Sequence, residues 1–179
     1  MRRFIWLCAA ITTIALLIPG TSQARTTPSA VQRKVAGQLT LDCADMNTKA
    51  LSYAVAHHYC TSSGKNVLSP DGEVTGNCGS SFMTVGDGGH GTAELDWGFE
   101  STAGIVIQHT LTVSWNNLSM VGLHGSFRDD GVMFAADYEN LKDVFSGHGF
   151  VHAKLSGFVL LIWGGVCRIL NPQDVEIVH

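Results

Sequence analysis

The chain carries eight histidines, and their neighbours decide what chemistry they could do. No Gly-x-Ser-x-Gly elbow supplies a nucleophile for a histidine–carboxylate pair, so acyl transfer has no recognisable starting point. His148 and His152 are four residues apart, and either could act as a general base if a carboxylate and a substrate came near. His90, His124 and His148 sit beside glycines in turn-like settings and read as solvated polar residues. His109 is different, because strict alternation places it between Ile107 and Leu111 on an apolar face. There it reads as a core histidine held by one or two hydrogen bonds, with contact to a ligand as the alternative.

Metal and phosphate chemistry find no pattern to build on. His57-His58-Tyr59-Cys60 looks like a ligand cluster. Adjacent histidines, however, point to opposite faces of a strand or diverge on a helix, and the usual C-x-x-C and H-x₃-H spacings are missing. Gly86-Asp87-Gly88-Gly89-His90-Gly91 is glycine-rich, but it lacks the Lys-Ser/Thr of a P-loop and reads as a mobile turn. Asp87 has no acidic neighbour until Glu94, too sparse for a calcium loop. No cofactor, metal site or catalytic residue is therefore expected. Asn117-Leu118-Ser119 fits an N-glycosylation acceptor in a surface turn.

Residues 1–24 have the make-up of a secretory signal peptide. Arg2 and Arg3 precede an apolar run from Phe4 to Ile18, Pro19-Gly20 breaks it, and Ser22-Gln23-Ala24 offers small residues before a cut at Arg25. The apolar run is shorter than the roughly 20 residues needed to span a bilayer, so no stable membrane anchor is expected after cleavage. Cys8 leaves with the signal. The net charge of −4 becomes −6 once Arg2 and Arg3 are lost. With no basic cluster beyond Arg33-Lys34, nucleic acid is excluded as a partner.

Four cysteines remain, Cys43, Cys60, Cys78 and Cys167, an even count that reads as two disulfides in an exported chain. The favoured pairing is Cys60–Cys78, because Thr61 to Asn77 looks like one long loop between ordered ends. Cys43–Cys167 would then tie the start of the domain to its end.

The elements that must position these residues are mostly strands. Residues 25–40 read as a flexible arm leading into a single domain over 41–179. Residues 42–59 are ambiguous between a short helix capped by Asp45 and a strand over Ala50 to Cys60. Ala93, Leu95, Trp97 and Phe99 alternate with polar residues, as do Ile105 to Trp115, which predicts a hairpin with one buried face. After Asn116-Asn117, Val121 to Phe127 alternate again, and Asp129-Asp130-Gly131 reads as a hairpin turn into Val132 to Ala136. Asp137 to Phe145 breaks the alternation and reads as helical turns. Phe150 to Leu155, the apolar run Phe158 to Trp163 and an edge strand over Val175 to Val178 complete the pattern. The expected class is all-β, an antiparallel β-sandwich or meander barrel with at most one or two short helices.

Tyr59-Cys60 through Gly76-Asn77-Cys78-Gly79-Ser80-Ser81, followed by Trp97-Gly98-Phe99-Glu100-Ser101-Thr102, resembles small secreted actinobacterial proteins of unassigned function. The resemblance covers about a third of the chain and implies export and two disulfides, without a mechanism. The expectation is a secreted, extracellular, non-catalytic binding module whose partner is an extracellular protein or a small ligand. Two alternatives stand beside it. One is a β-barrel carrier of a small apolar ligand, and the other is a secreted hydrolase with a His/carboxylate site.

Overall fold

The computed structural model describes residues 35–65 and 77–179. The expected signal segment 1–24, and residues 25–34 of the expected arm, lie outside the described residues. The chain runs β1 (Val35–Leu41), α1 (Thr48–Ala56), β2 (Gly79–Gly89), β3 (Thr92–Ser101), β4 (Val106–Asn117), β5 (His124–Ala135), β6 (Asp137–Phe145), β7 (Gly149–Leu161), β8 (Val166–Ile169) and β9 (Gln173–Val178). Among the described residues the fold is all-β and antiparallel with one short helix, as its alternation predicts. Residues from Val35 onward form β1 rather than a flexible arm, because that stretch pairs with both β2 and β8.

One sheet, in the order β5-β4-β7-β8-β1-β2-β3-β6, curls into a nearly closed barrel, and β9 pairs with β7 beside this path. Its interior is filled by alternate side chains: Leu39, Met83, Leu95, Trp97, Phe99, Leu111, Val113, Leu155 and Leu161 are all buried. At about 1.5–3 kcal/mol per large apolar side chain, this layer supplies the main driving force. Strand β7 is long enough to meet β4 along its length while β9 takes one half of its other edge and β8 the other half. Phe150–Leu155 and Phe158–Trp163 thus belong to one strand through Leu161, with Gly157 at φ 136 where a side chain would strike the Thr110 carbonyl.

Three further expectations are corrected. The runs over 92–99 and 105–115 are not a hairpin: both edges of β3 are taken by β2 and β6, and β4 lies on the opposite wall between β5 and β7. One-sided burial holds on β4, apart from a bulge near Ile107 that turns Val106 inward and leaves Ile105 exposed, but not on β3, where Asp96 and Gly98 are buried along with Leu95, Trp97 and Phe99. Asp137–Phe145 is strand β6, not helical turns; it is an edge strand whose polar residues hide the period of two. The helix α1 is capped by Asn47, whose side chain accepts from the Ala50 N–H at 2.9 Å, and not by Asp45.

The two disulfides pair differently from the sequence expectation. Cys43 bonds Cys60 across α1, and Cys78 bonds Cys167. The cause is in the sheet: β1 lies between the starts of β2 and β8, so Cys78 and Cys167 flank the same stretch of β1, while α1 folds back to bring Cys60 to Cys43.

Candidate functional site

Strands β5 and β6 follow one another through a single residue, Ala136, whose carbonyl accepts from the Ser101 N–H at 2.7 Å. They are nevertheless the two ends of the sheet path and do not pair. Along this seam the barrel is closed by side chains instead of backbone hydrogen bonds.

Asp129 is the centre of that closure. Its Oδ2 accepts from the Trp97 indole N–H at 2.8 Å, the Tyr138 hydroxyl at 2.8 Å and the Asn140 amide at 3.4 Å. Asn140 also donates to the Tyr138 oxygen at 3.0 Å. The Asp129 side chain is 15% exposed. Burial pushes its carboxyl up, but the donors from Trp97, Tyr138 and Asn140, with the charge of His109, outweigh that and hold it below its ordinary 3.8. Tyr138 moves the other way, to about 12, through burial first and then its bond to the Asp129 anion. The phenol therefore stays a donor across neutral pH.

His109 projects into the same cluster from β4. It is 3% exposed, its ring centroid lies 4.2 Å from that of Tyr138, and its Nε2 stands 3.5 Å from Asp129 Oδ1. Neither ring nitrogen has a hydrogen-bond partner among the described residues. Its burial is what the alternation requires, but the hydrogen bonds expected of a core histidine are missing. Gly131 is its register partner on β5, and a Cβ there would come within 2.5 Å of the ring. That contact explains why Asp129-Asp130-Gly131 is not a turn. The inward Asp129 carboxylate has three donors and Gly131 makes room for the imidazole, so tertiary packing overrides the local turn preference.

One rung further along the seam, Phe127 packs edge-on against Trp97 with centroids 5.1 Å apart, and Lys142 Nζ lies 4.2 Å over the Phe127 ring. Lys142 and Asn140 are exposed, so the seam opens to solvent there.

The other candidates separate. His148 is exposed on a loop, and His152 sits between Asn116 Oδ1 and Gln173 Oε1, each at 3.2 Å from one ring nitrogen. Cys60 is disulfide-bonded, so the His57-His58-Tyr59-Cys60 run offers no thiolate. Among the described residues, no group of three or more His, Cys, Asp or Glu is placed to hold a metal ion, and no helix is long and apolar enough to cross a membrane. Asn117 is not a surface acceptor for a glycan. It is buried, donating to the Ser146 and His148 carbonyls at 2.8 and 3.0 Å and accepting from the Ser119 and Met120 N–H groups at 2.8 and 3.0 Å.

Of the residues in this cluster, the sequence singles out His109 but not Asp129, Tyr138 or Asn140. The signal that could have found them is weak: a carboxylate that falls on the inward phase once Val121 to Phe127 is continued unbroken through Gly131. No protein-family model, curated protein or solved structure matches the chain.

Proposed function

We propose that the protein is a secreted, extracellular binding module, without catalytic activity, that engages its ligand at the β5–β6 seam. The observation that carries this reading is a pair of unpaired strand edges standing over a solvent-reachable floor of Asp129, Tyr138, Asn140 and Phe127. Export is supported by the signal-like segment, the two disulfides and the resemblance to small secreted actinobacterial proteins. A carrier with a central calyx is less favoured, since Trp97, Phe99, Met83 and Leu111 fill the interior.

The hydrolase reading rests on one contact, His109 Nε2 to Asp129 Oδ1 at 3.5 Å. Against it, the histidine is almost fully enclosed, and the hydroxyl nearest the carboxylate is the Tyr138 phenol, which stays protonated far above neutral pH. A fragment library of acids, cations, sugars and neutral apolar compounds, followed by amide chemical-shift mapping, tests the proposal. Binding fragments should shift Phe127, Asp129, Tyr138 and Asn140. Hits confined to other surfaces, or ester, peptide or glycoside hydrolysis abolished by His109→Ala, would overturn it.

A further inference from the structure

Resting on that reading, we infer that the ligand presented to the seam is an organic cation: an ammonium group, free or on a lysine side chain, held between the Asp129 carboxylate and the face of Phe127. Three independent features of the seam converge on this chemistry.

The first is an anion whose charged neighbour is an enclosed imidazole rather than a lysine or arginine. Among the described residues the three donors on Asp129 go to Oδ2, while Oδ1 accepts no hydrogen bond and faces the His109 Nε2 at 3.5 Å. No Lys or Arg pairs with this carboxylate among the described residues; Arg128, one residue away, is committed to Asp130 at 2.6 Å. A largely enclosed carboxylate with one open oxygen gains strongly from an incoming cation, because the surrounding dielectric is low.

The second is a resident that shows what the aromatic wall accepts. Lys142 Nζ already sits 4.2 Å over the Phe127 ring, a cation–π geometry, on the rung next to Asp129. Lys142 is on an exposed edge strand with a flexible stem, so another ammonium can take its place at little cost. The third is access: Asn140 and Lys142, the residues above the carboxylate and the ring, are exposed.

The test uses the full secreted chain, observing the Trp97 indole N–H, which reports directly on Asp129. n-Butylammonium, tetramethylammonium and a blocked Ala-Lys-Ala peptide are titrated, with n-butanol as the neutral isostere. Lys142→Met removes the resident and should tighten n-butylammonium binding about five- to tenfold over wild type. Adding Asp129→Asn should weaken it about tenfold or more. Should that double variant lose its fold, Phe127→Leu in the Lys142→Met background carries the test and should weaken binding about threefold. A peptide that binds more tightly than n-butylammonium points to a lysine side chain as the source, and equal affinities point to a free amine. An n-butanol response equal to that of n-butylammonium, or no saturable response to any cation, overturns the inference. Neutral or anionic fragments that still map to Phe127 and Asn140 would then leave the seam as the binding face and remove only the cation.

Discussion

The Tyr138 hydroxyl donates to Asp129 Oδ2 at 2.8 Å between two strands that share no backbone pairing. In a closed barrel, that junction would be held by a ladder of main-chain hydrogen bonds. Here one carboxylate gathers donors from β3 and β6, so three strands meet at a side chain.

Removing the donor should weaken the junction without opening the core. Tyr138→Phe keeps the stacking on Phe99 and His109 and deletes one hydrogen bond to a charged acceptor, at a cost of about 1.5–3 kcal/mol. Asp129→Ala should cost more, because it strands the enclosed Trp97 N–H as well. Urea unfolding of the two variants measures both.

The pH dependence follows from the same cluster. A carboxyl held below its ordinary 3.8 in the folded chain contributes stability that is complete above that value and is lost as pH falls through the lower folded value. The stability advantage of wild type over Asp129→Asn should therefore be flat near neutral pH and shrink below about pH 4. Tyr138, raised from 10.0 to about 12, acts at the other end. Its contribution is complete below 10.0 and is lost as pH rises toward 12, so the advantage over Tyr138→Phe should shrink in that window.

Two neighbours on β4 test its one-sided burial. Leu111 is fully buried and Leu111→Ala should cost about 2–5 kcal/mol. Thr112 faces the outer side, and Thr112→Ala should cost under about 1 kcal/mol. Equal losses in thermal or chemical unfolding would mean that both faces of β4 are packed.

How far the sequence reaches is clear from these same residues. Trp97, Phe99, His109, Leu111 and Val113 are legible because a period of two over long β-branched and aromatic runs has one physical solution, a buried face. Asp129 is not legible, since Asp-Asp-Gly satisfies a turn locally, and only the opposing His109 ring and the Trp97 and Tyr138 donors make an extended chain better. Tyr138 and Asn140 are hidden for a related reason: β6 turns polar residues both inward to the seam and outward to solvent, so its hydropathy carries no period. Cysteine pairing depends on which strands are neighbours, and the path β8-β1-β2 joins segments far apart in the chain.

The disulfides make a separate prediction. Peptide mapping of the non-reduced protein should recover Cys43 linked to Cys60 and Cys78 linked to Cys167. The bridges span 17 and 89 residues. On the chain-entropy account, losing the longer closure should destabilise by about 4–5 kcal/mol and the shorter by about 3 kcal/mol.

The central claim is that the barrel carries a seam held by side chains, with free strand edges available to a ligand. Amide hydrogen exchange, resolved residue by residue, tests it most directly. Alternate amides of β5 and β6 that face the seam should exchange orders of magnitude faster than those of β4 and β7, whose edges are paired on both sides. Uniform protection along β5 and β6, equal to that of β4, would show the two strands zipped together by backbone hydrogen bonds and would contradict the seam as a binding face.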